Sequence, residues 1–229
     1  MTIDHSRGPW IRTRSGRNFY LLNPRPEDVV IGFSSGTPVS VNGKELGPVE
    51  LIMKLNEIGG RHGVGRIDLV EDRMVGMKSR GVYETPGGTL LYTAHSELEQ
   101  LVLDRRTLAA KDLIAPRYAD IVYEGRWWSI EREAYDAFVN VTQERITGTV
   151  GLRLYKGSAT VLGRQSEQAL YDERFVTFGE DDVYEQSDAA GFIRLYGLST
   201  RVRAIKDQEL AAAKSAAQEG ASEPALVGA

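Results

Sequence analysis

The chain has 229 residues, a formal net charge of -4 and no cysteine. This length fits one large domain or one domain with tails, and the missing cysteines exclude disulfides and thiolate metal sites. The acidic balance argues against nucleic-acid binding, and no apolar run is long enough to cross a membrane. Because the first residues also lack the apolar core of a secretory signal, a cytoplasmic protein is expected.

The amino-terminal part of the chain begins without a regular spacing of apolar residues. Residues 1–28 are rich in arginine, glycine and proline, which predicts an irregular arm. The first strands are predicted at 29–33 and 38–41, where apolar and β-branched residues flank a serine- and glycine-rich break. Asn42 and Gly43 then form a typical turn pair, so this region is predicted to be a hairpin followed by a second turn.

A helix is predicted next, because Gly47 and Pro48 are typical of a helix start and the apolar residues that follow have helical spacing. The glycine pair at 59–60 is expected to end this helix. Short strands are then predicted at 66–70 and 74–77, with a charged segment between them.

Three helices are predicted in the middle of the chain. A long one follows Pro86, and a second covers 108–123, where Pro116 is expected to introduce a kink. Ser129 has the position of an N-cap for the third, which is expected to stop at Gly148.

In the carboxyl-terminal part, apolar residues recur at every second position, which is the spacing of a strand. Residues 150–154 and 159–162 are predicted to form a second hairpin, and 175–178 a further short strand. Ser187 is expected to cap a last helix. Residues 207–229 form an alanine-rich tail that is expected to extend this helix and to be partly disordered.

This order of elements predicts an α+β fold, because the strands come in hairpins and the helices come in runs. One domain is predicted over 29–206, between the arm and the tail. Antiparallel sheets with packed helices are expected rather than a doubly wound parallel sheet.

Several motifs have a structural interpretation that is favoured over a functional one. The glycine-rich stretch 59–66 comes after a helix and before a strand, so it predicts a turn rather than a phosphate cradle. His62 and His95 are expected to be hydrogen-bonded or surface histidines rather than acid–base groups. The acidic run 180–182 is typical of a helix start more than of a cation site, and the tryptophans at 127–128 are expected to wedge two helices together.

The segments 71–73 and 78–84 are the richest in charged and hydrogen-bonding side chains. Composition alone favours a solvated charged edge. If the intervening loop folds back, however, Glu71 and Tyr83 would converge, and a carboxylate beside a phenol suits a ligand with a planar amide donor or an ammonium group.

Five stretches resemble, in the same order, motifs of the argininosuccinate synthase family. They are residues 63–84, 93–95, 123–128, 154–157 and 169–172. The resemblance runs from about residue 29 to 206. It implies an ATP-dependent carbon–nitrogen ligase of arginine biosynthesis, in which ATP adenylates the ureido oxygen of citrulline and the aspartate amine then displaces AMP to give argininosuccinate.

The same resemblance implies roles for particular residues. A glutamate and a tyrosine of this half bind citrulline in the family, at the positions of Glu71 and Tyr83 here. Thr2 corresponds to a serine that touches citrulline at the junction of the two halves. A homotetramer is also implied, in which the helix that begins near Ser187 is an oligomerisation helix that reaches across subunits.

The family's nucleotide-binding half, with its Ser-Gly-Gly-x-Asp-Ser loop, has no counterpart in these residues. ATP, and the Mg²⁺ expected with it, would therefore bind in the half that is missing, and this chain alone is expected to be inactive. Two alternatives stay open. The chain could be a standalone, non-catalytic module for citrulline binding or assembly, or a remnant that folds but binds nothing.

Overall fold

The computed structural model describes residues 25–172, 185 and 187–221. Its helices and antiparallel sheets confirm the predicted α+β class. The chain divides into two units, Met1–Asp172 and Glu173–Ala229, which are treated in turn.

The described part of the first unit contains both sheets and the first four helices. Its strands are β1 (Glu27–Ser34), β2 (Thr37–Val41), β3 (Lys44–Glu45), β4 (Arg66–Asp72), β5 (Lys78–Glu84), β6 (Gly148–Tyr155) and β7 (Ser158–Gln165). Its helices are α1 (Pro48–Arg61), α2 (Pro86–Val102), α3 (Arg105–Tyr123) and α4 (Ile130–Gln143).

The larger sheet has the order β3-β2-β1-β6-β7, and all its pairs are antiparallel. Both predicted hairpins are confirmed, and β1 begins two residues before the predicted strand. The central strands bury alternate apolar side chains, namely Val29, Ile31 and Phe33 on β1 and Val150, Leu152 and Leu154 on β6. Each such side chain contributes about 1.5–3 kcal/mol when it leaves water, so this face drives the folding of the unit.

Helices α1 and α2 pack against this apolar core and against each other. The predicted end of α1 at the glycine pair 59–60 is wrong, since the helix continues through Arg61. Gly59 is buried where the helices meet, and a Cβ there would lie only 2.9 Å from the Cβ of Pro86. The first glycine of the pair therefore allows close helix packing inside the helix.

The predicted strand at 74–77 is also wrong, because these residues form the turn between β4 and β5. The turn is closed by two hydrogen bonds, from the Arg73 amide to the Met77 carbonyl and from the Gly76 amide to the Arg73 carbonyl, each 2.8 Å long. Gly76 has a φ of +81°, which glycine adopts at little cost. Met74 and Met77 are exposed, so their apolar character does not reflect a buried strand.

Helices α3 and α4 contact each other, and the Tyr118 hydroxyl donates to Asp136 Oδ1 at 2.8 Å. Pro116 lies inside α3. The predicted N-cap of α4 is confirmed, because the Ser129 hydroxyl accepts from the Arg132 amide at 3.3 Å. The predicted end of this helix at Gly148 is wrong.

The connection after α4 explains why this helix ends at Gln143, before the predicted end at Gly148. Gly148 instead begins β6, and Ile146 is buried in the loop that joins the helix to this strand. The Ile146 carbonyl accepts from the Gly36 amide of the first hairpin at 2.8 Å. Tertiary contacts with the hairpin therefore replace the last helical turn.

The predicted tryptophan wedge is wrong as well. Trp128 is 87% exposed and Trp127 is 46% exposed, so neither ring is held between two helices. The Arg132 guanidinium carbon lies 5.0 Å from the centre of the Trp127 ring, which is a cation–π contact at the start of α4.

The described part of the second unit consists of α5 (Asp188–Tyr196) and α6 (Leu198–Ala221). A single last helix was predicted, but Gly197 interrupts it, and glycine is a poor helix former. The Ser187 side chain makes no capping hydrogen bond. The helix extends beyond residue 206 as expected, whereas the strand predicted at 175–178 lies outside the described residues. No helix within the described ranges is long and apolar enough to span a membrane.

Candidate functional site

The β4–β5 hairpin brings the two predicted site residues onto one face. Its antiparallel register pairs Ile67 with Tyr83, Leu69 with Gly81 and Glu71 with Ser79. Because alternate residues of a strand point to the same side, Glu71 shares a face with Ser79 and Tyr83.

Glu71 and Tyr83 are in direct contact on this face. The Tyr83 hydroxyl donates to Glu71 Oε1 at 2.6 Å, and the tyrosine is 46% exposed. The predicted convergence of the two side chains is therefore confirmed, and the pair is open to a ligand. The hydrogen bond to Glu71 raises the pKa of Tyr83 above its ordinary value, and loss of hydration raises it further.

This pKa shift sets the pH range of the contact. Because the folded chain holds the phenol proton more tightly than the unfolded chain, the contact is fully present below the ordinary tyrosine pKa of about 10. It is lost as the pH rises through the raised pKa of Tyr83. At neutral pH the Tyr83 hydroxyl is therefore a donor to the Glu71 carboxylate.

Two further side chains complete this face of the hairpin. The Ser79 hydroxyl lies 3.4 Å from Glu71 Oε1 and accepts from Arg73 Nε at 3.1 Å. Both contacts to the Glu71 carboxylate fall on Oε1. The sequence analysis did not single out Ser79. The two-residue strand period running back from Tyr83 could have identified it.

The opposite face of the hairpin is held by ion pairs. Arg80 donates to Asp68 in a fork, with distances of 2.8 Å to Oδ1 and 2.5 Å to Oδ2, and Lys78 lies 2.6 Å from Asp72. Lys78 is the register partner of Asp72, and Arg80 lies diagonally across from Asp68, two residues from the register partner of Asp68. These ion pairs therefore favour the register that places Glu71 and Tyr83 on the same face.

The two candidate histidines lie apart from this pair. His62 is fully buried, and its Nε2 lies 2.9 Å from Glu27 Oε2. His95 Nε2 lies 2.7 Å from Gln143 Oε1. Each ring is hydrogen-bonded to a neighbouring side chain, which agrees with the structural role expected from the sequence.

The glycine-rich stretch 59–66 forms the end of α1 and the turn into β4, as predicted. Its Gly65 carbonyl accepts from the Thr85 amide at 2.8 Å, which closes the open end of the hairpin. Thr2 and the acidic run 180–182 lie outside the described residues. Among the residues that the structure describes, no group of three acidic or histidine side chains is arranged to hold a metal ion.

Comparison with known proteins agrees with the motifs. Residues 18–203 match the sequence model of the family described as "Arginosuccinate synthase C-terminal domain". The chain is 54% identical over 208 residues to the argininosuccinate synthase of Desulfitobacterium hafniense strain DSM 10664 / DCB-2, a match that covers 88% of this chain and 51% of that protein. It is 60% identical over 180 residues to the enzyme of Roseiflexus sp. strain RS-1, covering 79% and 44%.

A similar match, 58% identity over 186 residues, covers 81% of this chain and 45% of the argininosuccinate synthase of Caldanaerobacter subterraneus subsp. tengcongensis. The chain thus spans about half the length of the curated relatives that it matches. The family match covers most of the chain, and the identities are high. The chain belongs to the argininosuccinate synthase family, and its matched residues correspond to the carboxyl-terminal domain of that family.

Proposed function

We propose that Glu71 and Tyr83 bind citrulline, and that this chain supplies those contacts to an ATP-dependent ligation of citrulline and aspartate to argininosuccinate. The observation that carries the proposal is the 2.6 Å hydrogen bond between the Tyr83 hydroxyl and Glu71 Oε1 in a chain of this family. The other side chains of the hairpin face support it, because the Ser79 hydroxyl, which accepts from Arg73, lies against the same Glu71 oxygen as the phenol.

The chemistry of the pair fits a ligand that carries N–H groups. Because the Tyr83 hydroxyl donates its hydrogen bond to Glu71, the phenol oxygen meets a ligand as an acceptor, and Glu71 Oε2 is a second acceptor. The ureido group of citrulline is a planar N–H donor and its α-ammonium is a charged one. Either group can therefore meet both oxygens, and a charged donor strengthens the hydrogen bond.

Calorimetric titration with citrulline tests this assignment. Tyr83→Phe keeps the ring but removes the hydroxyl, so we expect affinity about tenfold below that of the parent chain, as for one lost hydrogen bond. Glu71→Ala removes both carboxylate oxygens and is expected to weaken binding further.

Tyr92→Phe is the matched control, since Tyr92 lies exposed on α2 away from the hairpin. It should bind citrulline like the parent chain. A parent chain that releases no heat with citrulline, or a Glu71→Ala chain that binds as well as the parent, would remove the basis of the assignment.

We propose further that ATP with Mg²⁺ binds in the half of the relatives that this chain does not match. The absence of a Ser-Gly-Gly-x-Asp-Ser loop from the 229 residues supports this, as does the match to about half of each relative. A coupled pyrophosphate-release assay with ATP, citrulline and aspartate should give no turnover with this chain alone, because the groups needed to stabilise the leaving pyrophosphate lie in the other half. Turnover by the chain alone would contradict this division of roles.

A second candidate function is a non-catalytic module for citrulline binding or assembly. Exposed apolar side chains along α5 and α6 favour an assembly role in either case, and they include Phe192, Leu195, Tyr196, Val202 and Ile205. We propose that these helices contribute to a homotetramer in the cytoplasm. A Ser-Gly-Gly-x-Asp-Ser segment encoded upstream of Met1 would favour the enzyme, and its absence there would favour the separate module.

A further inference from the structure

Gly81 occupies the centre of the site face, between Ser79 and Tyr83 on β5. A Cβ built at this position would lie 2.3 Å from Tyr83 Cε2, 2.6 Å from its Cζ and 2.6 Å from its hydroxyl oxygen. Contacts this short do not occur in proteins, so the Tyr83 ring lies across the space that any other residue at position 81 would fill.

The backbone itself gives no reason for glycine at this position. Gly81 lies within regular antiparallel pairing opposite Leu69, and its φ is outside the left-handed region. Glycine weakens a strand interior because it adds conformational entropy to the unfolded chain and packs no side chain. A glycine in such a position often marks a close approach of another group, which here is the aromatic ring of Tyr83.

We infer that Gly81 is a positioning residue of the site: its missing side chain lets the Tyr83 ring lie flat along β5, which brings the hydroxyl to Glu71. The inference rests on the proposed function for its effect on citrulline, while the ring geometry stands independently. With alanine at position 81, the ring must rotate away from the strand. The hydrogen bond to Glu71 is then lost, and the two oxygens no longer face one ligand together.

The fold should tolerate this rotation. Tyr83 is 46% exposed, so its ring can turn towards solvent without displacing core side chains. Gly163 on β7 is the matched control, because it is also a strand glycine and a Cβ there would meet nothing within 4 Å. Gly163→Ala therefore replaces a strand glycine, as Gly81→Ala does, but its new Cβ crowds no side chain.

The first measurement is a pH titration of Tyr83. It is monitored by NMR of the chain labelled with ¹³C-tyrosine, and the signal of Tyr83 is assigned by its absence from the Tyr83→Phe variant. The hydrogen bond to Glu71 raises the pKa of Tyr83 in the parent chain. We expect that pKa to fall towards the ordinary value in Gly81→Ala and in Glu71→Gln, and to stay at the parent value in Gly163→Ala. A folded Gly81→Ala chain with the parent pKa of Tyr83 would overturn the inference.

Citrulline affinity in a double-mutant cycle gives the second measurement. Gly81→Ala should weaken binding about tenfold when Tyr83 is present, as for one lost hydrogen bond, and leave it unchanged when Tyr83 is already alanine. If Gly81→Ala alone fails to fold, the added Tyr83→Ala change should restore folding because it removes the clash. An unfolded double variant would contradict the inference.

The two proposals can fail separately. A parent chain that does not bind citrulline would end the proposed function, yet the titration of Tyr83 would still test the role of Gly81. Conversely, citrulline binding by the parent together with an unchanged Tyr83 pKa in Gly81→Ala would overturn only the positioning role.

Discussion

Replacing Leu98 with alanine is expected to lower the free energy of unfolding by about 2–5 kcal/mol. Leu98 is fully buried on α2, within the apolar core that the central strands share with the helices. Shortening its side chain removes transfer free energy and leaves a cavity that close-packed neighbours fill only in part. Urea denaturation followed by circular dichroism gives the change from the midpoint and the slope.

Leu113→Ala on α3 is the matched control, because it removes the same atoms from a side chain that is 78% exposed. Its effect should stay within about 0.5 kcal/mol of the parent chain. Similar losses for Leu98→Ala and Leu113→Ala would mean that the core described here does not carry the stability of the first unit.

The larger sheet could be predicted because its signal is local. Apolar residues alternate in 150–154 and lie next to turn residues at 156–157, and a strand with one buried face requires that pattern. The helices after Pro48 and Pro86 were found for a similar reason, since their apolar residues repeat at helical spacing. In these segments, local propensity and tertiary packing favour the same structure.

The errors occurred where either the conformation of a turn or a tertiary contact decides between local alternatives. Residues 74–77 are apolar like a strand, yet they form a turn because Gly76 adopts a left-handed conformation that the composition does not reveal. The end of α4 was misplaced because the carbonyl of Ile146 bonds to the amide of Gly36 in another hairpin, a contact between residues far apart in the chain. Period and composition carry no information about such partners.

The candidate site was only partly accessible from the sequence. Composition alone favoured a solvated charged edge, and the resemblance to a family directed attention to Glu71 and Tyr83. The roles of Ser79 and Gly81 depend on the register of β4 and β5, which places them on the same face as that pair. Because the second strand is predicted at 74–77 whereas β5 spans Lys78–Glu84, the predicted elements do not give this register, and only the two-residue period running back from Tyr83 points to Ser79.

Replacing Gly65 is expected to lower stability by an amount comparable to the effect of Leu98→Ala. Its φ is +79°, and a Cβ would lie 2.5 Å from the carbonyl oxygen of Thr85 and 2.7 Å from its carbonyl carbon. These are backbone atoms at the open end of the β4–β5 hairpin, and the Thr85 amide donates to the Gly65 carbonyl at 2.8 Å. Unlike a flexible side chain, this backbone cannot rotate away without opening the hairpin.

Gly65→Ala should therefore lose stability for two reasons. The left-handed backbone costs about 1–2 kcal/mol for a residue with a Cβ. The contact with Thr85 adds a loss of about 1–3 kcal/mol, as for other overpacked sites. Urea denaturation measures the total. Because the strain falls where β4 begins, we also expect the Tyr83 contact with Glu71 to weaken, and the pKa of Tyr83 to fall towards its ordinary value.

Gly76→Ala separates the two causes, because Gly76 has nearly the same φ, +81°, at the other end of the same hairpin, and a Cβ there would meet nothing within 4 Å. Only the conformational cost applies to it, so its loss of stability should be about 1–2 kcal/mol, clearly smaller than that of Gly65→Ala. Equal losses in the two variants would mean that the close approach of Thr85 adds nothing. The hairpin that carries Glu71 and Tyr83 would then owe its position to the ion pairs and register of its own strands, rather than to the backbone contact at its base.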